Sequence, residues 1–324
     1  MTLMTAGILD HRRELHRIGI VLCGILFATG SVVAGELDCT AGHFHNPEFA
    51  AGEGARDVAL GDLNGDGELD AVVVNQQGGL PPPGGDPSGD TVSVLLNNGD
   101  RTLAGQIVYT VGRSPWSVVL ADLDGDDDLD MAVSNQQDDT VLVLVNDGNA
   151  GFTPGATYPV GDFPAQIVSG DLDGDGDPDL AVTCRVPNAV SILLNNGNGS
   201  FAPQFAVATG ADPRALAIAN LDGDTDLDLV TANWTTNDVS VLKNNGNASF
   251  AAPSNFAAGN RPHCIAAGDL NGDGDADLAV GNYFGNDFTI LANNGSASFT
   301  TAGSYLAGTG RPMAVELADV DEDG

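Results

Sequence analysis

One nine-residue pattern, with Asp or Asn at positions 1, 3 and 5 and Asp at position 9, recurs along this chain, always between two apolar runs. It spans Asp62 to Asp70, Asp122 to Asp130, Asp171 to Asp179, Asn220 to Asp228 and Asp269 to Asp277. A sixth copy opens at Asp319 and reaches Gly324, where the sequence stops. The starts lie 60, 49, 49, 49 and 50 residues apart. Self-similarity at such a period belongs to repeat architectures, in which each unit buries its faces only by stacking on its neighbours.

The six loops hold 27 of the chain's 45 acidic residues, and the formal net charge is −34. The acidity is therefore concentrated in short turns and not drawn out as a disordered tail. That balance argues against nucleic acid as a partner, because phosphate binding needs a basic surface. It also disfavours attraction to anionic membranes. A hydrophobic fraction of 42% over 324 residues is enough for a packed core, and the abundant Gly suits many short strands and tight turns.

Aligned on the acidic loop, each unit shows four apolar runs of strand length. In the fourth unit they include Ala215–Ala219 before the loop and Val239–Leu242 after it. Each run is short and bounded by turn residues, so each reads as a strand. Gly/Pro turns such as Gly112–Pro115, Gly210–Pro213 and Gly259–Pro262 precede the first strand. Asn-Gly pairs at Asn98, Asn196, Asn245 and Asn294 predict type I′ hairpin turns between the third and fourth strands. Four antiparallel strands per unit predict an all-β fold, a β-propeller of four-stranded blades, with about six repeats present from a ring of six or seven. An EF-hand needs flanking helices and a Glu at loop position 12, which these loops lack. The longer first interval comes from an insertion at Gly78–Gly89, read as a surface loop.

The N-terminus differs in kind. His11, Arg12, Arg13, His16 and Arg17 precede an apolar run from Ile18 to Gly35, with small residues at Val32–Ala34. Residues 1–34 read as a secretory signal peptide, with an uncleaved N-terminal anchor as the alternative, 35–43 as a linker and 44–324 as the propeller, incomplete at its C-terminal end. No later stretch is apolar and long enough to span a bilayer. Beyond Cys23 there are Cys39, Cys184 and Cys264, an odd number at irregular spacing and so not a disulfide framework. Cys184 and Cys264 adjoin apolar runs and read as buried thiols.

In a tight loop, positions 1, 3 and 5 point inward and converge. Position 7 offers its backbone carbonyl, and position 9 returns a carboxylate as the next strand begins. The candidate ligand sets are Asp62, Asn64, Asp66, Glu68 and Asp70, then Asp122, Asp124, Asp126, Asp128 and Asp130. The next are Asp171, Asp173, Asp175, Asp177 and Asp179, and Asn220, Asp222, Asp224, Asp226 and Asp228. Last come Asp269, Asn271, Asp273, Asp275 and Asp277, and the sixth copy's Asp319, Asp321 and Asp323. Five or six hard oxygens at this spacing suit Ca²⁺, about one ion per loop, better than Mg²⁺. The loops contain no His or Cys, which disfavours zinc and copper. Gly67, Gly176 and Gly274 occupy position 6, where the bend is sharp; Asp127 and Thr225 stand there in the second and fourth loops. With Asn220 also neutral at position 1, the fourth loop is predicted to bind its ion weakest.

These loops, with the Asn-Asn-Gly-x-x-x-Phe runs at Asn195–Phe201, Asn244–Phe250 and Asn293–Phe299, resemble the FG-GAP/VCBS repeat family, which includes the N-terminal propellers of integrin α subunits. The resemblance covers about residues 44 to 324. It implies a propeller, usually seven-bladed, with calcium in the loops joining the first two strands of a blade. On that pattern Asp62, Asn64, Asp66 and Asp70 and their equivalents are side-chain ligands, and Asn220, Asp127 and Thr225 are departures.

Propeller topology puts the acidic loops and the third-to-fourth strand turns at one end of each blade. The opposite end gathers unusual residues: Arg113, Trp116, Arg214, Arg261, His263 and Arg311 in blade-to-blade turns, and Arg185, Trp234, Tyr283 and Phe284 in second-to-third turns. Aromatic faces and guanidinium forks suit sugars, uronates or carboxylate peptides. The competing reading is that each Arg balances a nearby acid and each ring packs between blades. Neither a nucleophile elbow nor a Gly-rich phosphate loop is present. The function expected is that of a secreted calcium-binding module for adhesion or binding, with a glycan or protein ligand and no catalysis of its own. The alternative is the propeller domain of an extracellular polysaccharide-active enzyme.

Overall fold

A computed structural model of the chain describes residues 20–21, 31–33, 48–52, 54–76, 90–100, 102–308 and 310–318. Every regular element among them is a strand. Most of the segments read as signal peptide and linker lie outside the described residues, as do the insertion, Cys23, Cys39 and the sixth loop with Asp319, Asp321 and Asp323. Short pairs stand outside the blades. Strand β1 (Ile20–Val21) runs antiparallel to β24 (Glu316–Leu317), and β2 (Ser31–Val33) to β3 (Glu48–Ala50).

Twenty strands form five four-stranded antiparallel sheets in sequential order, the blades of a β-propeller. The first contains β4 (Ala55–Gly61), β5 (Asp70–Gln76), β6 (Asp90–Leu95) and β7 (Ile107–Thr110). The second contains β8 (Pro115–Ala121), β9 (Asp130–Asn135), β10 (Thr140–Val145) and β11 (Thr153–Pro159). In the third are β12 (Pro164–Gly170), β13 (Asp179–Cys184), β14 (Ala189–Leu193) and β15 (Phe205–Ala208). The fourth comprises β16 (Pro213–Ala219), β17 (Asp228–Asn233), β18 (Asp238–Leu242) and β19 (Ser254–Ala257). The fifth comprises β20 (Pro262–Gly268), β21 (Asp277–Asn282), β22 (Asp287–Asn293) and β23 (Phe299–Leu306).

Burial within a blade follows strand position. Second strands β9, β13, β17 and β21 are buried at every residue, whereas fourth strands β7, β15 and β19 are exposed at most of theirs. A strand covered on both faces needs an apolar run on both, and β-branched residues fit that pleated surface. The first strands of four blades begin at Pro115, Pro164, Pro213 and Pro262. Proline has no N–H for the ladder, so it is tolerated at a strand start. The pairing register shifts just after it, between Pro213 and Ala215 and between Pro262 and Cys264.

The described chain falls into two compact units. In one, which ends at Ser169 and takes in Leu193–Gln204, Val72, Val74, Val92 and Val94 pack with Met131, Val133, Leu144 and Phe152. In the other, containing Gly170–Ile192 and the chain from Phe205, the core joins Val230, Ala232, Val239 and Val241 to Ile265, Leu278, Val280 and Leu291. Cys184 and Cys264 are buried thiols in that unit, and burial pushes the Cys264 thiol up to about 12.

The Asn-Gly pairs do not form type I′ turns. That turn needs positive φ at both central residues. Gly99, Gly197, Gly246 and Gly295 have it (70°, 71°, 75° and 73°), but the Asn before each does not. A wider loop forms, closed by bridges Asn97–Leu103, Asn195–Phe201 and Asn244–Phe250. The amide oxygens of Asn97 and Asn195 accept the N–H of Gly99 and Gly197 at 3.0 and 3.1 Å. This local Asx turn competes successfully with the two-residue hairpin.

Candidate functional site

Each acidic loop joins the first and second strands of its blade, and its position-9 Asp is the first residue of the second strand. Position 1 shapes the loop. Asp62 Oδ1 accepts the Gly65 N–H at 2.8 Å, and Oδ2 accepts the Gly67 N–H at 2.8 Å. Asp122, Asp171 and Asp269 repeat both bonds. These donors hold the Asp62 and Asp269 carboxyls below the usual range, the position-6 N–H of Gly67 or Gly274 contributing most. Asn220 has one acceptor oxygen, and it takes the Gly223 N–H at 2.8 Å. Position 5 is pinned likewise: Asp66, Asp126, Asp175, Asp224 and Asp273 each accept the N–H two residues on, at 2.9–3.0 Å.

The backbone obeys the expected bend. Gly67, Gly176 and Gly274 have φ of 88°, 98° and 90°, and Asp127 follows at 71°. Thr225 is held at 92°, in a region that β-branched side chains resist.

Position 9 is a buried anchor. Asp130 takes the N–H of Leu123 on Oδ2 (3.1 Å) and of Asn146 on Oδ1 (2.8 Å). Asp70, Asp228 and Asp277 repeat the pair with Leu63 and Asn97, Leu221 and Asn244, and Leu270 and Asn293. Asp179 accepts the Leu172 N–H at 2.9 Å. Burial outweighs these donors and raises the Asp130 and Asp228 carboxyls to about 6.

Carboxylate oxygens of Asp122, Asp124 and Asp130 come within 4.8 Å of one another, as do those of Asp171, Asp173 and Asp175. Asp124 Oδ1 is buried without a hydrogen-bond partner. Burial, reinforced by the neighbouring carboxylates, raises the Asp124 and Asp173 carboxyls. A buried, unpartnered anion among like charges is what a hard cation relieves, so these residues fit a metal ion. The side chains of Asp128, Asp226 and Asp275 at position 7 lie instead against the glycine of the third-to-fourth strand turn. A Cβ on Gly148, Gly246 or Gly295 would fall 2.4–2.6 Å from Asp128, Asp226 or Asp275 Oδ2. Position 7 thus has its backbone carbonyl, and not its carboxylate, to offer.

The fourth loop differs in one further respect that the residue pattern did not reveal. Lys243 Nζ forms an ion pair with Asp222 Oδ2. Its hydrogen bond to Asp222 is the largest influence raising the ammonium's pKa, and the charges of Asp228 and Asp224 add to it.

A second feature missed in the sequence is a clamp between neighbouring loops. Asn146 Nδ2 donates to Leu129 O in its own blade (3.1 Å) and to Leu63 O in the preceding one (2.9 Å). Asn244 does the same to Leu227 O and Leu172 O, and Asn293 to Ala276 O and Leu221 O. Asn195 reaches Leu123 O at 2.9 Å. The same carbonyls also accept the N–H of Ala150, Gly199, Ala248 and Ala297. The Asn two residues before the turn glycine, at Asn146, Asn195, Asn244 and Asn293, is its signal.

At the opposite end of the blades, six of the eight candidate ligand residues come together in the unit containing the fourth and fifth blades. Asp212 pairs with Arg185 (2.6 Å) and Arg214 (3.1 Å), and Arg214 lies 3.7 Å over the Trp234 ring. Trp234 meets His263, Tyr283 and Phe284 at 5.8, 5.3 and 5.6 Å between ring centroids. Arg261 donates to Trp234 O, and Arg311 donates to the Tyr283 hydroxyl at 3.0 Å. Phe284 is 49% exposed. Arg113 and Trp116 belong to the other unit, where Arg113 pairs with Asp138 and Arg56 covers the Trp116 ring. Arg113, Arg185 and Arg214 are balanced by acids, as the competing reading expects; the aromatic cluster forms beside Arg214 all the same.

Among the described residues no helix is long and apolar enough to cross a membrane. Several solved structures share the fold. A lectin from Agrocybe aegerita, described as recognising non-reducing terminal N-acetylglucosamine, matches with a TM-score of 0.55 and 20% identity over 86% of this chain and 75% of its own. The periplasmic gluconolactonase of Pseudomonas aeruginosa matches at 0.63 and 16%, over 90% and 81%. Virginiamycin B lyase from Staphylococcus aureus matches at 0.56 and 15%, over 89% and 83%. At such identities the likeness is one of fold. A search of curated protein sequences returned no match. The FG-GAP-like repeat model matches residues 84–133, 128–182, 171–231, 220–280 and 271–324, overlapping spans that cover most of the chain, which therefore belongs to the FG-GAP repeat family.

Proposed function

We propose that this chain is a secreted, calcium-organised binding module and that the cluster around Trp234 takes a glycan. One observation carries the reading: Trp234, His263, Tyr283 and Phe284 form a contiguous aromatic patch edged by Arg214, Arg261 and Arg311. Pyranose C–H faces stack on aromatic rings, and guanidinium groups donate to hydroxyls or carboxylates. The fold alone does not select a ligand; the side chains on it do. On this reading the chain binds without turnover, and residues 1–34 direct export to compartments where calcium is plentiful.

The metal's part is structural. Positions 1, 3, 5 and 9 would hold Ca²⁺ with their side chains and position 7 with its carbonyl. The ion would neutralise the clustered carboxylates and fix the bend between the first two strands. The test of the ligand reading is glycan-array binding by the whole chain and by Trp234→Ala combined with Tyr283→Ala. Binding is expected to disappear in the variant while its melting temperature stays within a few degrees. Undiminished binding would sink the assignment.

A further inference from the structure

Lys243 is the only lysine in the chain. It directly precedes the clamp residue Asn244, where the other blades carry Leu96, Val145, Leu194 and Ala292. Its ammonium lies on Asp222 Oδ2 in the one loop that has Asn at position 1 and a β-branched residue at position 6. The Asp222 side chain is 9% exposed and that of Lys243 40%, so the carboxylate is sheltered while the lysine stays open to solvent. Three departures thus coincide in one repeat: one negative charge removed, one bend made costly and one positive charge supplied.

We infer that the fourth loop has exchanged its metal ion for a tethered ammonium, so that Lys243 makes this repeat independent of calcium. The inference rests on the calcium reading of the other loops. Asp222 is a position-3 ligand residue, and an ammonium seated on its carboxylate competes with any cation for the same oxygen. The attraction of Asp224 and Asp228 holds it there. Lys243 occupies Asp222 Oδ2 alone; Asp222 Oδ1 stays buried without a hydrogen-bond partner, as Asp124 Oδ1 does. Asn220 can then replace Asp, because the charge to be balanced is smaller; Thr225 keeps the bend of the glycine loops, at φ of 92°. The neutral Asn220 and the covalently held cation are two halves of one change.

The experiment counts bound calcium by native mass spectrometry and isothermal titration in four forms of the full chain: parent, Asn220→Asp, Lys243→Met, and the double variant. The double variant is expected to bind one more ion than the parent, and Asn220→Asp alone to bind the parent's number. If Asn220→Asp alone gains the ion, or the double variant gains none while its melting temperature matches the parent's, the inference is overturned. Hydrogen exchange in chelator supplies a readout independent of calcium. The Leu221 and Gly223 amides should exchange at least tenfold faster in Lys243→Met than in the parent, and equal rates would overturn the inference. A parent that binds no calcium at any loop sinks the calcium reading instead, and the exchange comparison then decides for or against the tethered ammonium by itself.

Discussion

The two ends of each blade have been built on different rules. At the acidic end the same bonds recur: position 1 to the loop's N–H groups, position 9 to the next strand's turn, Asn to two carbonyls. At the other end the residues change from blade to blade, and an aromatic patch forms around Trp234 in one unit only among the described residues. A contact needed for every blade to stand must be repeated; a contact made to a ligand need appear only where the ligand sits. On the proposed reading the repeated end serves stability and the variable end recognition, and each assignment can be broken separately.

The largest effect expected is from chelation. A site filled at a hundred times its dissociation constant adds about 2.7 kcal/mol, so emptying several should lower the melting temperature steeply. A scan in millimolar calcium against one in excess chelator checks this, and coincident transitions would end the structural-metal account. Next is the clamp. Asn244→Ala leaves the Leu172 and Leu227 carbonyls without their side-chain donor, at a cost of about 2–3 kcal/mol, read as a lower urea midpoint at unchanged slope. Substituting Tyr283→Ala should weaken glycan binding about tenfold or more while moving the midpoint less than Asn244→Ala does; the reverse order would give the patch a packing role.

The smallest effect is on pH. Asp130 and Asp228 have carboxyls raised to about 6, above the unfolded value of about 4. Such groups favour the folded state when protonated, so their contribution is full below about pH 4 and is lost as pH rises toward about 6. In chelator, stability should fall across that window. With calcium present the ligands must ionise to bind, and the trend should turn upward. A chelated protein that gains stability from about pH 4 to 6 would contradict the first half.

Strands and acidic loops were legible because local sequence dictates them. A run such as Asp179–Cys184 between turn residues can be little but a buried strand, and alternating Asp and Asn in a short bend converge wherever the bend occurs. The Asn-Gly turn was misread because the preceding Asn, not the pair, decides the loop. The clamp was illegible for a different reason: Asn244 meets a carbonyl 72 residues away, and no periodicity states which groups face each other across blades. The Trp234 patch was half legible. The end of the blade could be foretold, but not that Arg113 and Trp116 would find partners of their own.

The clamp also has a direction. In the first four loops the second-position carbonyl is gripped by the Asn of the blade that follows. Asn146 is seated on Asp130 and Leu129 of its own loop while it grips Leu63 of the loop before, so a loop that loses its shape costs both neighbours a bond. Disorder entering at one loop is thus felt by the loop before it as well as by the blade after it.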